Sequence, residues 1–177
     1  MSPFETRKAL ETLTLLVDTR EKPTLRLRRR LQAVGLPYER QKLDFGDYSA
    51  KCTRYDGSQL DLSGCVAIER KMSLDELCQC FGKSRPRFER EFARAKAAGA
   101  RLYLLVENGS WEMALAGDYE SRMTPQALVA SLAAWQTRYD CRVVFCKPET
   151  TGRLIREILY REAKERLEGE SVGMVQN

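Results

Sequence analysis

The chain has 177 residues, which is enough for one domain with a substantial core but too few for two domains of ordinary size. Its composition, with 43% hydrophobic and 31% charged residues, is typical of a globular protein. The absence of histidine excludes Ser-His-Asp and Cys-His nucleophiles, histidine zinc sites and a histidine general base. The net charge of +5 permits nucleic-acid binding without demonstrating it.

Strand-forming runs alternate with amphipathic segments along the chain. The predicted strands cover residues 13–18, 38–43, 47–53, 66–71, 102–106 and 142–146. The predicted helices, which carry apolar residues at helical spacing, begin near residues 23, 73, 87, 124 and 153. Because the helices alternate with strands around an early hairpin, we expect one α/β domain over residues 1–168, with a mixed central sheet flanked by helices, and a flexible tail over 169–177.

Carboxylates and one lysine recur at the ends of these strands. Asp18 ends the first strand and Glu21 follows it, Asp47 ends the turn before a hairpin strand, and Glu69 and Lys71 share one face of the strand 66–71. Phosphodiester cleavage needs an activated water and a countercharge for the phosphate, which hard divalent cations held by carboxylates supply. The pattern therefore predicts a Mg²⁺ or Mn²⁺ site with Asp47, Glu69 and Asp18 as ligands, helped by Glu21 and Lys71.

Each of these features also has an ordinary structural explanation. Turns that contain Gly-Asp are common, Glu-Arg-Lys is a frequent surface triplet, and Asp75 suits the first turn of a helix. The order of the features is more specific than any one of them. A strand that ends in aspartate, then Gly-Asp, then Ile-Glu-Arg-Lys on an apolar strand favours a catalytic interpretation.

Three motifs carry a resemblance to a known family: Val-Asp-Thr-Arg-Glu at 17–21, Leu-Asp-Phe-Gly-Asp-Tyr at 43–48 and Ile-Glu-Arg-Lys-Met-Ser-Leu-Asp at 68–75. Together they resemble the nuclease domain of the XPF family, structure-specific endonucleases built on the restriction-endonuclease-like PD-(D/E)xK core. The resemblance implies that fold and a metal-dependent endonuclease that acts on branched or junction DNA. It also implies that Asp47 and Glu69 are metal ligands and that Lys71 is the catalytic lysine.

The same resemblance assigns supporting roles to other residues. Asp18 and Glu21 would support the metal or the water, and Asp75 would lie beside the ligands. Arg20 and Arg70 would contact phosphate or lie beside the ligands. Independently of the resemblance, a basic cluster before the Phe88 helix predicts that Lys83 and Arg85 contact the substrate. A second basic cluster on the first predicted helix, Arg26 with Arg28–Arg30, is explained equally well by DNA binding and by a solvated helix face.

The cysteines and the large aromatic residues are better explained by packing than by chemistry. None of the six cysteines forms a Cys-x-x-Cys pair, so they are expected to be reduced thiols, although a metal or redox site at Cys78 and Cys80 stays open. Trp135 lies on the apolar stripe of its predicted helix, and Phe88 and Phe92 form another such stripe. We expect these three aromatic residues in the core rather than as platforms for DNA bases.

Departures from the family pattern leave other interpretations open. The link over residues 54–64 is longer than usual, and the chain contains neither the tandem helix-hairpin-helix module nor the helicase of larger members. The resemblance is therefore to single-domain bacterial or phage members, for which a homodimer is expected. The alternatives are a catalytically inactive DNA-binding or scaffold subunit and a restriction-type enzyme. A polar N-terminus without a signal-peptide pattern predicts a cytoplasmic protein that does not bind membranes.

Overall fold

A computed structural model of the chain describes residues 1–173. The strands are β1 (Thr14–Asp18), β2 (Tyr38–Gln41), β3 (Tyr48–Thr53), β4 (Gln59–Asp61), β5 (Val66–Lys71), β6 (Arg101–Glu107) and β7 (Arg142–Cys146). The helices are α1 (Pro3–Glu11), α2 (Leu25–Val34), α3 (Leu74–Phe81), α4 (Arg85–Ala97), α5 (Trp111–Ala116), α6 (Pro125–Tyr139) and α7 (Pro148–Gly173). None of these helices combines the length and the apolar character that a membrane span requires.

All the strands belong to one mixed sheet with the order β2-β1-β3-β5-β6-β7, and β4 extends β3 as a short hairpin. Strands β5, β6 and β7 are parallel, whereas β3 runs antiparallel to both β1 and β5. Helices cover both faces, since α1, α2 and α7 pack on one face and α3, α4, α5 and α6 on the other. The predicted α/β fold with a mixed central sheet is confirmed.

Strand β5 separates two hydrophobic cores. Val66 and Ile68 point into the core under α2 and α7, and Ala67 points into the core under α3, α4 and α6. The second core contains the predicted aromatic residues, because Trp135 stacks on Phe88 with ring centroids 5.9 Å apart and is fully buried. The prediction that these rings pack in the core is confirmed.

Three elements were not predicted from the sequence. Helix α1 begins with a capping box between Ser2 and Glu5, a signal that is present in the sequence but lies in a segment with few apolar residues. The short strand β4 lies in the long link, and α5 has only six residues. Helix α7 is longer than predicted and continues through Gly173. The remainder of the predicted tail, residues 174–177, lies outside the described residues.

The contact between α2 and α7 depends on the absence of a side chain at Gly152. A Cβ atom at this position would lie 2.6 Å from the Ala33 Cβ atom and 2.9 Å from the Arg30 carbonyl oxygen. We predict that Gly152→Ala lowers the free energy of unfolding by about 1–3 kcal/mol, because overpacking outweighs the gain in helix propensity. Urea denaturation measures the change.

A glycine on the same helix provides the control. Apart from the backbone of its own helix, no atom of the described residues lies within 4 Å of the position that a Cβ atom would take at Gly169. Gly169→Ala should therefore leave stability unchanged or raise it by up to about 1 kcal/mol. Equal effects of the two substitutions would contradict the close packing of α2 and α7.

A buried carboxylate fixes α7 to the sheet. Burial would raise the pKa of Glu162, but hydrogen bonds from Tyr103, Arg166 and Arg101 outweigh burial and hold the pKa below its ordinary value of 4.5. A lowered pKa stabilises the fold above pH 4.5, and this contribution is lost as the pH falls through the folded-state pKa.

We predict that Glu162→Gln costs about 1–3 kcal/mol of stability at neutral pH, because it leaves buried donors poorly paired. The difference in the free energy of unfolding between the variant and the unsubstituted chain should become smaller as the pH falls from about 5 to about 3. Unfolding curves at several pH values measure this, with the exposed Glu165→Gln on the same helix as the control. A difference that is constant over this pH range would show that the charge of Glu162 does not contribute to stability.

Candidate active site

The turn before β3 places Asp47 against β5. The Asp47 N–H donates to the Ile68 carbonyl oxygen at 2.8 Å, and the Asp47 Oδ2 atom accepts from the Arg70 N–H at 2.9 Å. Tyr48 is then paired with Ile68 in the antiparallel ladder. These contacts hold the Asp47 carboxylate beside the strand that carries Glu69 and Lys71, as the sequence predicted.

Gly46 allows the turn to lie this close to β5. Its φ is +72°, and a Cβ atom there would lie 2.7 Å from the Ala67 Cβ atom, so a larger residue would push the turn away. The Gly46 N–H donates to the Glu91 Oε1 atom at 2.9 Å, which connects the turn to α4. Glu91 is therefore a third buried carboxylate near Asp47 and Glu69, and the sequence analysis missed it.

Glu69 and Lys71 point to the same face of β5, as alternation along a strand requires, and their side chains form an ion pair. Both are largely buried, with exposed fractions of 5% and 8%. The Lys71 Nζ atom also lies 5.2 Å from the centroid of the Phe88 ring. The two residues line a cavity of about 290 Å³ whose wall also includes Glu91 and Arg87 from α4.

Burial and mutual repulsion control the charge of this site. Burial, reinforced by the negative charge of Asp47, raises the pKa of Glu69 to about 8. Burial also raises the pKa of Asp47 to about 6, although the positive charge of Lys71 opposes this shift. Desolvation lowers the pKa of Lys71, but Glu69, Cys80 and Asp47 together outweigh desolvation and raise the pKa above its ordinary range. A cation beside both carboxylates would therefore stabilise their ionised forms.

The donor set is compatible with Mg²⁺ or Mn²⁺. Within residues 1–173, no cluster of three or more His, Cys, Asp and Glu side chains has the geometry to hold a metal ion. Asp47 and Glu69 nevertheless offer two carboxylates, and Mg²⁺ is commonly bound through one or two carboxylates while it keeps several waters. Of the two Asp47 carboxylate oxygens, Oδ2 accepts a hydrogen bond from the Arg70 N–H.

The structure places Asp18 next to Asp47 but gives its carboxylate other partners. The Asp18 N–H donates to the Asp47 carbonyl oxygen at 2.9 Å. Its Oδ1 atom accepts from the Arg20 N–H and guanidinium, and its Oδ2 atom accepts from the Leu43 N–H at 2.7 Å. Burial would raise the pKa of Asp18, but these donors lower it. Asp18 thus joins β1 to the following loops, and its role as a metal ligand stays a prediction.

Glu21 and Arg70 both lie on the opposite side of the sheet from Lys71. The Glu21 Oε2 atom accepts from the Tyr48 hydroxyl at 2.8 Å and from Arg30 at 3.2 Å. Arg70 donates to Glu107 at 3.1 Å, and this carboxylate was also missed by the sequence analysis. Both missed carboxylates had a signal, since Glu107 ends an apolar strand and Glu91 lies on the apolar stripe of α4.

The other predicted residues lie further from the carboxylates. Arg20 is half-exposed and lies 4.0 Å from Glu91, so it adjoins the site. Lys83 is exposed, whereas the Arg85 guanidinium lies 4.9 Å from the centroid of the Trp135 ring. The carboxylate of Asp75 accepts from the Ser121 N–H at 2.7 Å and thereby fixes the segment before α6. Contacts of Arg20, Arg70, Lys83 and Arg85 with DNA stay predictions, as do the roles of Glu21 and Asp75.

Solved structures of other proteins are similar in fold to this chain. "XPF from Aeropyrum pernix" has a similar fold, with a TM-score of 0.60 and 22% identity, over 84% of this chain and 61% of that chain. "XPF from Aeropyrum pernix, complex with DNA" gives a TM-score of 0.59 and 23% identity, over 86% of this chain and 66% of that chain. The chain therefore spans between 61% and 66% of the length of these two solved chains.

The likeness to these structures confirms the restriction-endonuclease-like α/β fold that the motifs implied. No curated protein sequence is similar enough to this chain to count as a match. The family model described as the ERCC4 domain matches residues 17–158, a range that contains all three motifs and every predicted site residue. Because this match covers far more than half of the sequence, the chain belongs to the ERCC4 domain family.

Proposed function

We propose that this chain is a divalent-metal-dependent DNA endonuclease that hydrolyses phosphodiester bonds in branched or junction DNA. The observation that carries the proposal is the convergence of Asp47, Glu69 and Lys71 at the ends of β3 and β5, in a member of the ERCC4 domain family. The similarity to an XPF structure in complex with DNA supports DNA as the substrate. The preference for branched DNA rests on the family resemblance.

In the proposed chemistry, three side chains have different roles. Asp47 and Glu69 would hold Mg²⁺ or Mn²⁺, which when bound supplies a Lewis acid and lowers the pKa of a water. Lys71 keeps its proton because Glu69 raises its pKa, so it presents a positive charge. With Glu69 as a metal ligand, the Lys71 ammonium group would be available to orient the attacking water or to neutralise the phosphate.

Basic side chains border the proposed site. Arg87 lines the same cavity as Lys71, and the exposed Lys83 lies just before α4. Half-exposed Arg20 lies on the side of Asp18 and Glu91. We infer that these cations contact the DNA backbone, which would make binding strongly dependent on salt. The homodimer and the cytoplasmic location expected from the sequence stay predictions.

We predict that Lys71→Ala and Asp47→Ala each lower the cleavage rate by at least about a hundredfold, because each removes a group that acts on the reacting phosphate or holds its metal. The measurement uses a labelled panel of duplex, single strand, flap, fork and four-way junction with Mg²⁺ or Mn²⁺. Metal-dependent cleavage of the branched members is the expected result. Lys8→Ala, an exposed lysine on α1, is the matched control and should cleave normally.

Two results of this assay would contradict the proposal in different ways. Full cleavage by both purified variants would show that Lys71 and Asp47 are not catalytic. Tight binding of one substrate without cleavage by the unsubstituted chain would favour the alternative of an inactive DNA-binding or scaffold subunit.

A second prediction tests metal binding without DNA. If Mg²⁺ or Mn²⁺ binds at Asp47 and Glu69, an ion concentration one hundred times the Kd should stabilise the fold by about 2.7 kcal/mol. Asp47→Asn keeps the side-chain shape but removes the charge, so this stabilisation should be lost. The exposed Asp118→Asn is the control. Equal stabilisation of Asp47→Asn and of the unsubstituted chain would place the ion elsewhere.

A further inference from the structure

A larger cavity lies on the side of the sheet opposite Lys71. Its volume is about 590 Å³, which is within the range of ligand-binding cavities. Arg70 and Met72 contribute to it from the end of β5, so it adjoins the proposed catalytic site across one strand. Its remaining lining residues include Arg26, Arg29 and Arg30 from α2 and Glu107 and Asn108 from the end of β6.

The arginines of α2 form a stripe that faces this cavity. Arg26, Arg29 and Arg30 are spaced i, i+3 and i+4, so they share one side of the helix, while Leu27 and Leu31 face the core. The first turn of α2 contains no acidic residue, and Arg26 lies there at the positive end of the helix dipole. Helix stability therefore does not account for this concentration of positive charge.

The two arginines in the inner part of the cavity are held in place by carboxylates. The side chains of Arg30 and Arg70 are only 8% and 11% exposed, and Glu107 contacts both, at 3.8 Å and 3.1 Å. Glu21 also pairs with Arg30, at 3.2 Å, so two carboxylates hold the two guanidinium groups. The Arg70 Nε atom is buried without a hydrogen-bond partner among the described residues, so the hydrogen-bonding capacity of this guanidinium is not exhausted.

The outer part of the cavity carries positive charge that is not paired. Neither Arg26 nor Arg29 forms an ion pair within residues 1–173, and the Arg26 guanidinium donates a hydrogen bond to the sulfur of Met72 at 3.8 Å. The lining contains four arginines and the carboxylates of Glu107 and Glu149, and Glu21, outside the lining, pairs with Arg30, so one positive charge remains without a matching carboxylate. The cavity is therefore suited to an anion, and the planar guanidinium group is particularly suited to a phosphate.

We propose that this cavity binds a phosphate group of the DNA strand that the protein cleaves, as a contact separate from the catalytic residues. Met72 follows Lys71 directly and lies in the cavity wall, so the cavity and Lys71 adjoin at the end of β5. DNA held at both places would cross the end of β5. This proposal rests on the proposed function for its ligand, but its test requires no cleavage.

Two adjacent residues of α2 provide a matched test. Arg29 lines the cavity, whereas Arg28 is also exposed to solvent but does not line it. Arg29→Gln and Arg28→Gln remove the same charge from the same helix, so general electrostatic attraction to DNA changes equally. Their affinities for short DNA duplexes, with either a 5′-phosphate or a 5′-hydroxyl, are measured by fluorescence anisotropy in the presence of a chelator. Thermal melting confirms that both variants are folded.

We expect Arg29→Gln to raise the Kd by about tenfold and Arg28→Gln by no more than about twofold, since only the first removes a charge-assisted hydrogen bond to phosphate. A loss confined to the 5′-phosphorylated duplex would identify the ligand as a terminal phosphate. An equal loss for both duplexes would identify it as an internal phosphodiester. Both results support the proposed site.

Equal effects of the two substitutions on both duplexes would overturn the proposal, as would the absence of binding by the unsubstituted chain. The result of this binding test is independent of the result of the cleavage assay that tests the proposed function. A chain that cleaves DNA but shows no difference between Arg28→Gln and Arg29→Gln would lack only this phosphate site. If Arg29→Gln weakens binding more than Arg28→Gln but the protein never cleaves DNA, the phosphate site is supported and the proposed nuclease function is contradicted.

Discussion

The contact between the Asp47 turn and strand β5 is the constraint on which the candidate site depends. Two hydrogen bonds, from the Asp47 N–H to Ile68 and from the Arg70 N–H to the Asp47 carboxylate, fix the register of the two strands. A shift of one residue would move Glu69 and Lys71 to the other face of the sheet. Because helices cover both faces, the same contact also places these charged side chains in a largely buried environment.

This environment explains why the site is suited to a cation. Two carboxylates near each other are costly when buried, as the raised pKa values of Asp47 and Glu69 show. Lys71 offsets part of this cost, and a divalent ion would offset more. Strand β5 also separates two charged regions, since Lys71 faces α4 while Arg70 faces α2 and α7. Its alternating side chains thus contribute to two cavities at one end of the sheet.

Much of this arrangement follows from patterns that the sequence displays directly. Alternation along β5 predicted that Glu69 and Lys71 share a face, and the Gly-Asp turn predicted Asp47 beside them. The partners of Asp18 were not predictable, because they depend on where the loop containing Leu43 lies in three dimensions. Glu91 was detectable as a carboxylate on an apolar helix face, but the spacing alone does not reveal which turn it reaches.

The central claim is that Asp47 and Glu69 hold the divalent ion of a nuclease. Anomalous X-ray scattering from crystals soaked in Mn²⁺ would test this claim most directly, because it locates the ion without relying on activity. A single strong peak within bonding distance of both carboxylates, and missing in crystals of Asp47→Asn, is the result that the account predicts. A peak elsewhere, or no peak at these carboxylates at saturating Mn²⁺, would contradict it.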